Sequence, residues 1–274
     1  MKKLFSTLVA LSICVIAIAQ DTVKVKTNPD LDISRKMAIA IEVIAIHETD
    51  SIKKSKSKFE FNSELTLASR NYWRGIGLGE SPSIQGLICV SRYGFELGTY
   101  GGVTANGNRV GYGNWVENYL TYKYKNVSLT VDDYFFLSEV DSLNDFFNYQ
   151  AKSTKHYVEA RLKYEYKRIQ LMAGYTIYSA TADTTTGLYA EAIFDAGKGT
   201  SFFAGYLTAP SMLNFTDKAG FTNIGVSYKR HIKISSEFQP VLKTSVVFNP
   251  SYNSIPQLPG LGRNPVNLVF TMTF

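Results

Sequence analysis

The sequence predicts an all-β chain, a transmembrane antiparallel up-and-down β-barrel of about twelve strands. Three observations predict it. Run after run alternates apolar with polar or charged residues, and successive side chains of a strand point to opposite faces. An apolar face backed by a charged one suits a barrel with lipid outside and water inside. Short links alternate with long ones, as periplasmic turns and outer loops do in such barrels. Outward aromatics collect at strand ends, where a membrane has its interfaces.

The totals agree. Aromatic residues make up 14% of the 274 residues and charged residues 19%, against roughly a quarter charged in soluble proteins. Mean hydropathy is −0.08, too low for a bundle of apolar helices but natural where hydrophobicity hides in alternation. The net charge of +6 comes with no nucleic-acid motif, so no nucleic-acid partner is expected. Of the two cysteines, Cys14 lies in the leader, which leaves Cys89 alone. Without a Cys-x-x-Cys pair or a Cys/His cluster, neither a zinc site nor another cofactor is expected.

Residues 1–19 read as a secretory signal peptide. Lys2 and Lys3 form its basic start, residues 8–18 its apolar run, and Ala17-Ile18-Ala19 the small-x-small site before Gln20. The apolar run is too short to span a membrane comfortably. Residues 20–57 read as a polar periplasmic extension that ends in the basic run 53–58. Within it, 37–47 is apolar enough for a short helix or strand; a plug inside the lumen is its other reading. Residues 58–274 read as the barrel.

The strands follow in order. Residues 59–74 place Phe59, Phe61, Leu65, Leu67 and Trp73 on one face, and Glu60, Asn62, Glu64, Thr66, Arg70, Tyr72 and Arg74 on the other. After the glycine-rich bend 75–79, residues 83–93 carry Ile84, Ile88 and Val90 outward. Residues 95–105 set Phe95, Leu97 and Val103 against Glu96, Tyr100 and Thr104. Residues 115–124 set Leu120 and Tyr122 against Glu117 and Lys123; 127–137 set Leu129, Val131 and Phe135 against Thr130, Asp132 and Tyr134. Residues 156–166 alternate Val158, Ala160, Leu162 and Tyr164 with Glu159, Arg161, Lys163 and Glu165. Residues 169–178 point Leu171, Tyr175 and Ile177 outward. Residues 186–194 and 201–208 read as strands of open facing, and 222–229 points Ile224, Val226 and Tyr228 outward. Residues 232–248 contain Pro240, which predicts a bulge or an edge irregularity. Residues 266–274 close the series with Val266, Leu268, Phe270, Met272 and Phe274 on one face.

An eleven-residue strand extends roughly 36 Å, or about 27 Å of membrane height at a tilt near 40°. The short links are 92–94, 125–126, 167–168, 196–199 and 230–231; the long ones are 104–114, 138–154, 210–219 and 249–263. Phe59, Tyr124, Tyr166, Tyr228 and Phe274 form the lower aromatic girdle and Trp73, Phe135 and Phe248 the upper. The competing fold is a soluble β-sandwich, which would bury the apolar face of each strand.

The segment Ser69-Arg70-Asn71-Tyr72-Trp73-Arg74-Gly75-Ile76 resembles the opening Ser-x-x-Tyr-x-Arg-Gly motif of the TorF-type porin family. Residues 82–86 resemble the Pro-x-x-Gln-Gly that follows it, and Gly94-Phe95-Glu96-Leu97-Gly98 its next hairpin. Asp133-Tyr134-Phe135-Phe136 is similar to an Asp-Tyr-Tyr-Phe segment of relatives from Bacteroidetes-type bacteria. The terminal Phe274 fits the ending that the barrel-assembly machinery reads in outer-membrane barrels. The resemblance implies location and architecture more than substrate.

The inward face then lines the lumen. The candidate pore-lining residues are Arg70, Arg74, Glu60, Glu64, Lys123, Asp132, Glu159, Arg161 and Lys163, with Glu96, Glu117, Glu165, Lys229, Lys233 and Lys243 on the same face. Rings of charge tune which solutes pass; salt bridges that brace the wall are the other reading. Arg70 and Arg74 are placed near the outer mouth as selectivity candidates, with packing of the bend 75–79 as their alternative role. Asp133 breaks the pattern by pointing to lipid, which is tolerable near an interface, or a bulge turns it inward.

The functional expectation is an outer-membrane channel for passive diffusion of small hydrophilic solutes or ions, with a weak preference for anions. Its partners would be outer-membrane lipid, lipopolysaccharide and the assembly machinery; self-association is left open. The alternative is a non-conducting barrel whose outer loops bind or adhere, with 138–154 and its Phe146, Phe147 and Tyr149 as the candidate loop. A barrel lipid hydrolase needs a nucleophile and an oriented base. Only His156 is placed for that work, and no Gly-x-Ser-x-Gly signature accompanies it.

Overall fold

The structure, a computed structural model, describes residues 59–79, 81–105, 113–137, 145–180, 187–211, 213–257 and 261–274. The expected signal peptide and extension, with the stretch 37–47, lie outside these residues. Twelve strands close into one antiparallel barrel: β1 (Glu60–Ala68), β4 (Ser83–Arg92), β5 (Phe95–Thr104), β6 (Asn114–Tyr124), β7 (Val127–Leu137), β8 (His156–Tyr166), β9 (Ile169–Tyr178), β10 (Leu188–Gly197), β11 (Thr200–Leu207), β12 (Gly220–His231), β13 (Val241–Phe248) and β15 (Val266–Thr273). Each barrel strand pairs with its neighbours in sequence, and β15 returns to β1. Three short strands, β2 (Tyr72–Trp73), β3 (Ile76–Leu78) and β14 (Leu261–Gly262), form a separate sheet in the order β14-β3-β2. A single sheet closed on itself is not a sandwich.

Register turns the alternation into two surfaces. Glu64 lies opposite Leu87, Leu87 opposite Tyr100, Tyr100 opposite Glu117, Glu117 opposite Tyr134, and Tyr134 opposite Tyr157. All of these share the inner face. The opposite parity leaves Leu120, Leu129, Leu162, Ile177, Phe202 and Leu268 exposed around the outside. A belt of large apolar side chains this continuous is not left to water by a soluble monomer, and it fits an outer-membrane barrel. Facing is settled for the two strands where alternation left it open: Tyr189, Glu191 and Ile193 of β10 pair with Leu207, Gly205 and Phe203 of β11 on the inner side.

The barrel has a turn end and a loop end. At the turn end, Tyr93, Lys125, Lys167 and Lys198 take positive φ in tight hairpins, the backbone hand that matches strand twist. Here one link differs from the expectation. β12 continues through Arg230 and His231, and the connection is 232–240, held by Ile232 N donating to Pro240 O and Ile234 N to Phe238 O. Pro240 then precedes β13 rather than distorting it, which is where a residue without an N–H is tolerated. The register shifts fall instead at Val158/Glu159, Asp195/Gly197 and Gly205/Tyr206.

At the loop end, the first predicted strand is corrected. β1 stops at Ala68, and residues 69–79 leave the wall as β2, β3 and the turn between them. Arg74 at φ 45° and Gly75 at φ 91° make that turn. Trp73 therefore does not join an outer girdle; its ring lies edge-on to the inward Tyr134 at 5.3 Å. Phe135 leaves the girdle too, buried under residues 145–154 with Phe146 at 5.3 Å and His156 at 4.8 Å. The lower aromatics Tyr124, Tyr166, Tyr228 and Phe274 remain exposed. Ile76, Leu78, Phe215 and Ile255 form a small apolar core at the loop end, joined by Trp73, Phe136, Tyr252 and Leu261.

Candidate functional site in the lumen

The inward-folded segment 69–79 delivers Arg74 across the lumen. Tyr72 OH and Asn249 Nδ2 both donate to the Gly75 carbonyl, at 2.7 and 3.0 Å. A Cβ at Gly75 would sit 1.6 Å from the Thr222 carbonyl oxygen of β12, so this close approach admits only glycine. Arg74 Nη1 and Nη2 then grip Glu159 Oε1 and Oε2 on β8 at 2.8 and 2.6 Å, and Nη1 also donates to Asn214 Oδ1 at 2.7 Å. The guanidinium lies over Trp73 and Tyr189, at 4.6 and 4.3 Å from the ring centroids.

Glu159 is 0% exposed and Arg74 9%. Two charges so placed need hydrogen bonds as well as each other, and the fork-to-fork geometry supplies them. Burial alone would lower the proton affinity of Arg74; the charge and hydrogen bonds of Glu159 outweigh it and raise that affinity, so the group stays a cation. Gly174 on β9 makes room, since a Cβ there would meet Glu159 Oε1 at 2.6 Å. Beside this pair, Arg161 Nε and Nη2 donate to Asp132 Oδ2 and Oδ1 at 2.6 and 2.5 Å, and Nη2 reaches Glu117 Oε1 at 3.5 Å. Tyr134, Tyr189, Asp132 and Glu117 are buried around these groups. The loop-end half of the lumen is thus filled by a polar, charge-paired layer.

The turn-end half is different. Glu60, Asn62, Glu64, Lys123, Lys229 and Lys243 face inward and are exposed to solvent. Lys123 and Lys163 flank Glu165 at 3.6 and 3.3 Å. Tyr119 OH donates to Glu96 Oε1 at 2.8 Å, and Glu191 Oε2 accepts from Tyr189 OH and Asn223 Nδ2, both at 2.7 Å. Toward the turn end the lumen is thus a solvent-exposed vestibule, whose exposed charges give way to buried ones at the Arg74 layer.

The nine candidate pore-lining residues divide accordingly. Arg74, Glu159, Asp132 and Arg161 belong to the charge-paired layer. Glu60, Glu64, Lys123 and Lys163 line the vestibule. Arg70 stands apart, with Nη1 on Asn267 Oδ1 of β15 at 3.1 Å. Alternation did not find Asn214 or Asn249, which sit in connections without a period. Tyr134 and Tyr189 lie on barrel strands; alternation placed Tyr134 inward and left the facing of Tyr189 open, and gave no sign that both would be buried in this layer.

On the outer wall, Asp133 keeps its outward parity and is satisfied there. Its Oδ1 meets His156 Nδ1 at 2.7 Å and its Oδ2 accepts from Tyr149 OH at 2.5 Å. His156 Nε2 faces the Phe146 carbonyl at 2.6 Å, and the Tyr149 ring stacks on the imidazole at 4.0 Å. Tyr178 OH donates to the Tyr149 carbonyl. Burial, then the bond to Asp133 and its charge, push the Tyr149 phenol above its ordinary range, so it stays a donor. Residues 145–154 thereby fold against the outside of the wall rather than into the lumen. His156 is 0% exposed with both ring nitrogens engaged. Compared with known proteins, the chain matches no family model and no curated protein.

Proposed function

We propose that this protein is an outer-membrane channel through which small hydrophilic solutes diffuse passively, with its outer mouth held shut by the Arg74 segment. The loop end faces outside and the vestibule opens to the periplasm, as short turns and long loops are arranged in such barrels. One observation carries the reading: inward charged side chains are exposed at the turn end and buried toward the loop end, where Arg74 bridges to Glu159 and Arg161 to Asp132 and Glu117. A stopper made of hydrogen bonds and ion pairs can exchange them for water, whereas an apolar stopper cannot. The resemblance to TorF-type porins supports the same reading, and no catalytic step belongs to it.

The test is planar-bilayer conductance of the chain from Gln20 onward, refolded and checked for heat-modifiable migration. Arg74→Ala is expected to raise the open probability at least tenfold over the unsubstituted chain. If both forms fold and neither conducts, the channel reading fails. The barrel would then be one that works through its outer loops. The placement of Phe147, 71% exposed on the docked loop 145–154, favours that second reading.

A further inference from the structure

Resting on the channel reading, the inner wall carries one charge arrangement that the seal does not use. Lys229 of β12 and Lys243 of β13 lie directly opposite each other on the inner face. Side chains so placed start about 5 Å apart, and like charges there repel. Four other inward cations have carboxylate partners: Arg74 has Glu159, Arg161 has Asp132 and Glu117, and Lys123 and Lys163 share Glu165. No carboxylate of the described residues lies within ion-pairing distance of either Lys229 or Lys243. Both lysines are open to the vestibule.

The surroundings are donors. Ser227 and Ser245 face each other one inward step toward the loop end, and Thr271 lies beside Lys243 on β15. The carboxylate whose field reaches Lys243 is Glu191, and its Oε2 is already held by Tyr189 and Asn223. We propose that Lys229 and Lys243 form a binding station for a small oxyanion, a phosphate or a carboxylate, with the three hydroxyls completing its hydrogen bonds. Each ammonium has three donors on a flexible stem, so two of them can converge on one anion and turn their repulsion into two attractions. The substrate class passing through the vestibule is therefore anionic, and it is met at the periplasmic side of the seal.

The probe is inorganic phosphate, titrated against the refolded barrel in detergent by calorimetry at low ionic strength, with no conductance needed. Saturable binding is expected. Lys229→Gln and Lys243→Gln should each weaken it roughly tenfold or more, as loss of one charge-assisted hydrogen bond does. Lys→Arg at either position should retain most of it. Glu191→Gln should tighten it several-fold, a sign that general loss of positive charge would not produce. Absence of saturable binding, or binding untouched by both lysine substitutions, overturns the station even if the barrel conducts. Binding intact without conductance upholds the station and sinks the channel reading alone.

Discussion

The Arg74–Glu159 contact decides whether the layer at the loop end is a door or a wall. Removing one partner of a buried, hydrogen-bonded pair strands the other, at a cost of about 3–5 kcal/mol when the survivor stays dry. Glu159 has no exposure of its own, so Arg74→Ala should cost that much if residues 69–79 stay in place. If the segment swings aside, water reaches Glu159 and the loss should fall below about 2 kcal/mol. Denaturant unfolding of the refolded barrel reads the difference. The expected outcome is the smaller loss together with increased conductance; the full loss with no conductance would mean a fixed brace. Arg74→Lys should behave like the alanine form in conductance, because a point charge cannot reproduce the two parallel bonds to Oε1 and Oε2.

Among the elements, the docked connection 145–154 explains an outward charge that alternation could only flag. His156 Nδ1 meets the Asp133 carboxylate and Nε2 the Phe146 carbonyl. The ring thus ties the loop to the wall through both of its nitrogens. His156→Phe keeps the stacking with Tyr149 and Phe135 but removes both polar contacts. It should loosen the loop by about 2–3 kcal/mol, seen as faster chymotryptic cleavage at Phe147 while the barrel stays folded. Unchanged cleavage would show that aromatic packing alone holds the loop. The twelve barrel strands were legible because alternation is a local property, written into each strand by the residues that flank it. The departure at Ala68 was not legible, because Arg70, Tyr72 and Arg74 keep their parity after the chain has left the wall; the short strand β2 alternates as well as β1 does. Asn214 reaches Arg74 from residues 211–216, where no period exists to read. The charge-paired layer is a tertiary arrangement, assembled from segments that are far apart in sequence.

In the molecule as a whole, closure rests on its least local pairing. β1 pairs with β4 along all nine of its residues, Glu60 to Ala68. With β15 it matches only Thr66 to Thr273, Leu67 to Met272 and Ala68 to Thr271. The seam is extended by Leu65 and Phe274, which exchange backbone hydrogen bonds at 3.4 and 2.8 Å. Hairpin neighbours meet at little entropic cost, whereas β1 and β15 must close a loop spanning nearly the whole barrel. A pairing that forms last contributes little to the folding transition state, so weakening it should act on unfolding. Deletion of Phe274 removes both bonds to Leu65 and the stacking of its ring on Phe238, 5.9 Å away. The deletion should speed unfolding by roughly tenfold and leave refolding within about twofold, following the partition expected of late contacts. Heat-modifiable migration followed over time in micelles measures the first, and its recovery after dilution the second. Slowed refolding with unfolding unchanged would place the seam in the nucleus instead, and closure rather than hairpin growth would then set the pace at which this barrel assembles.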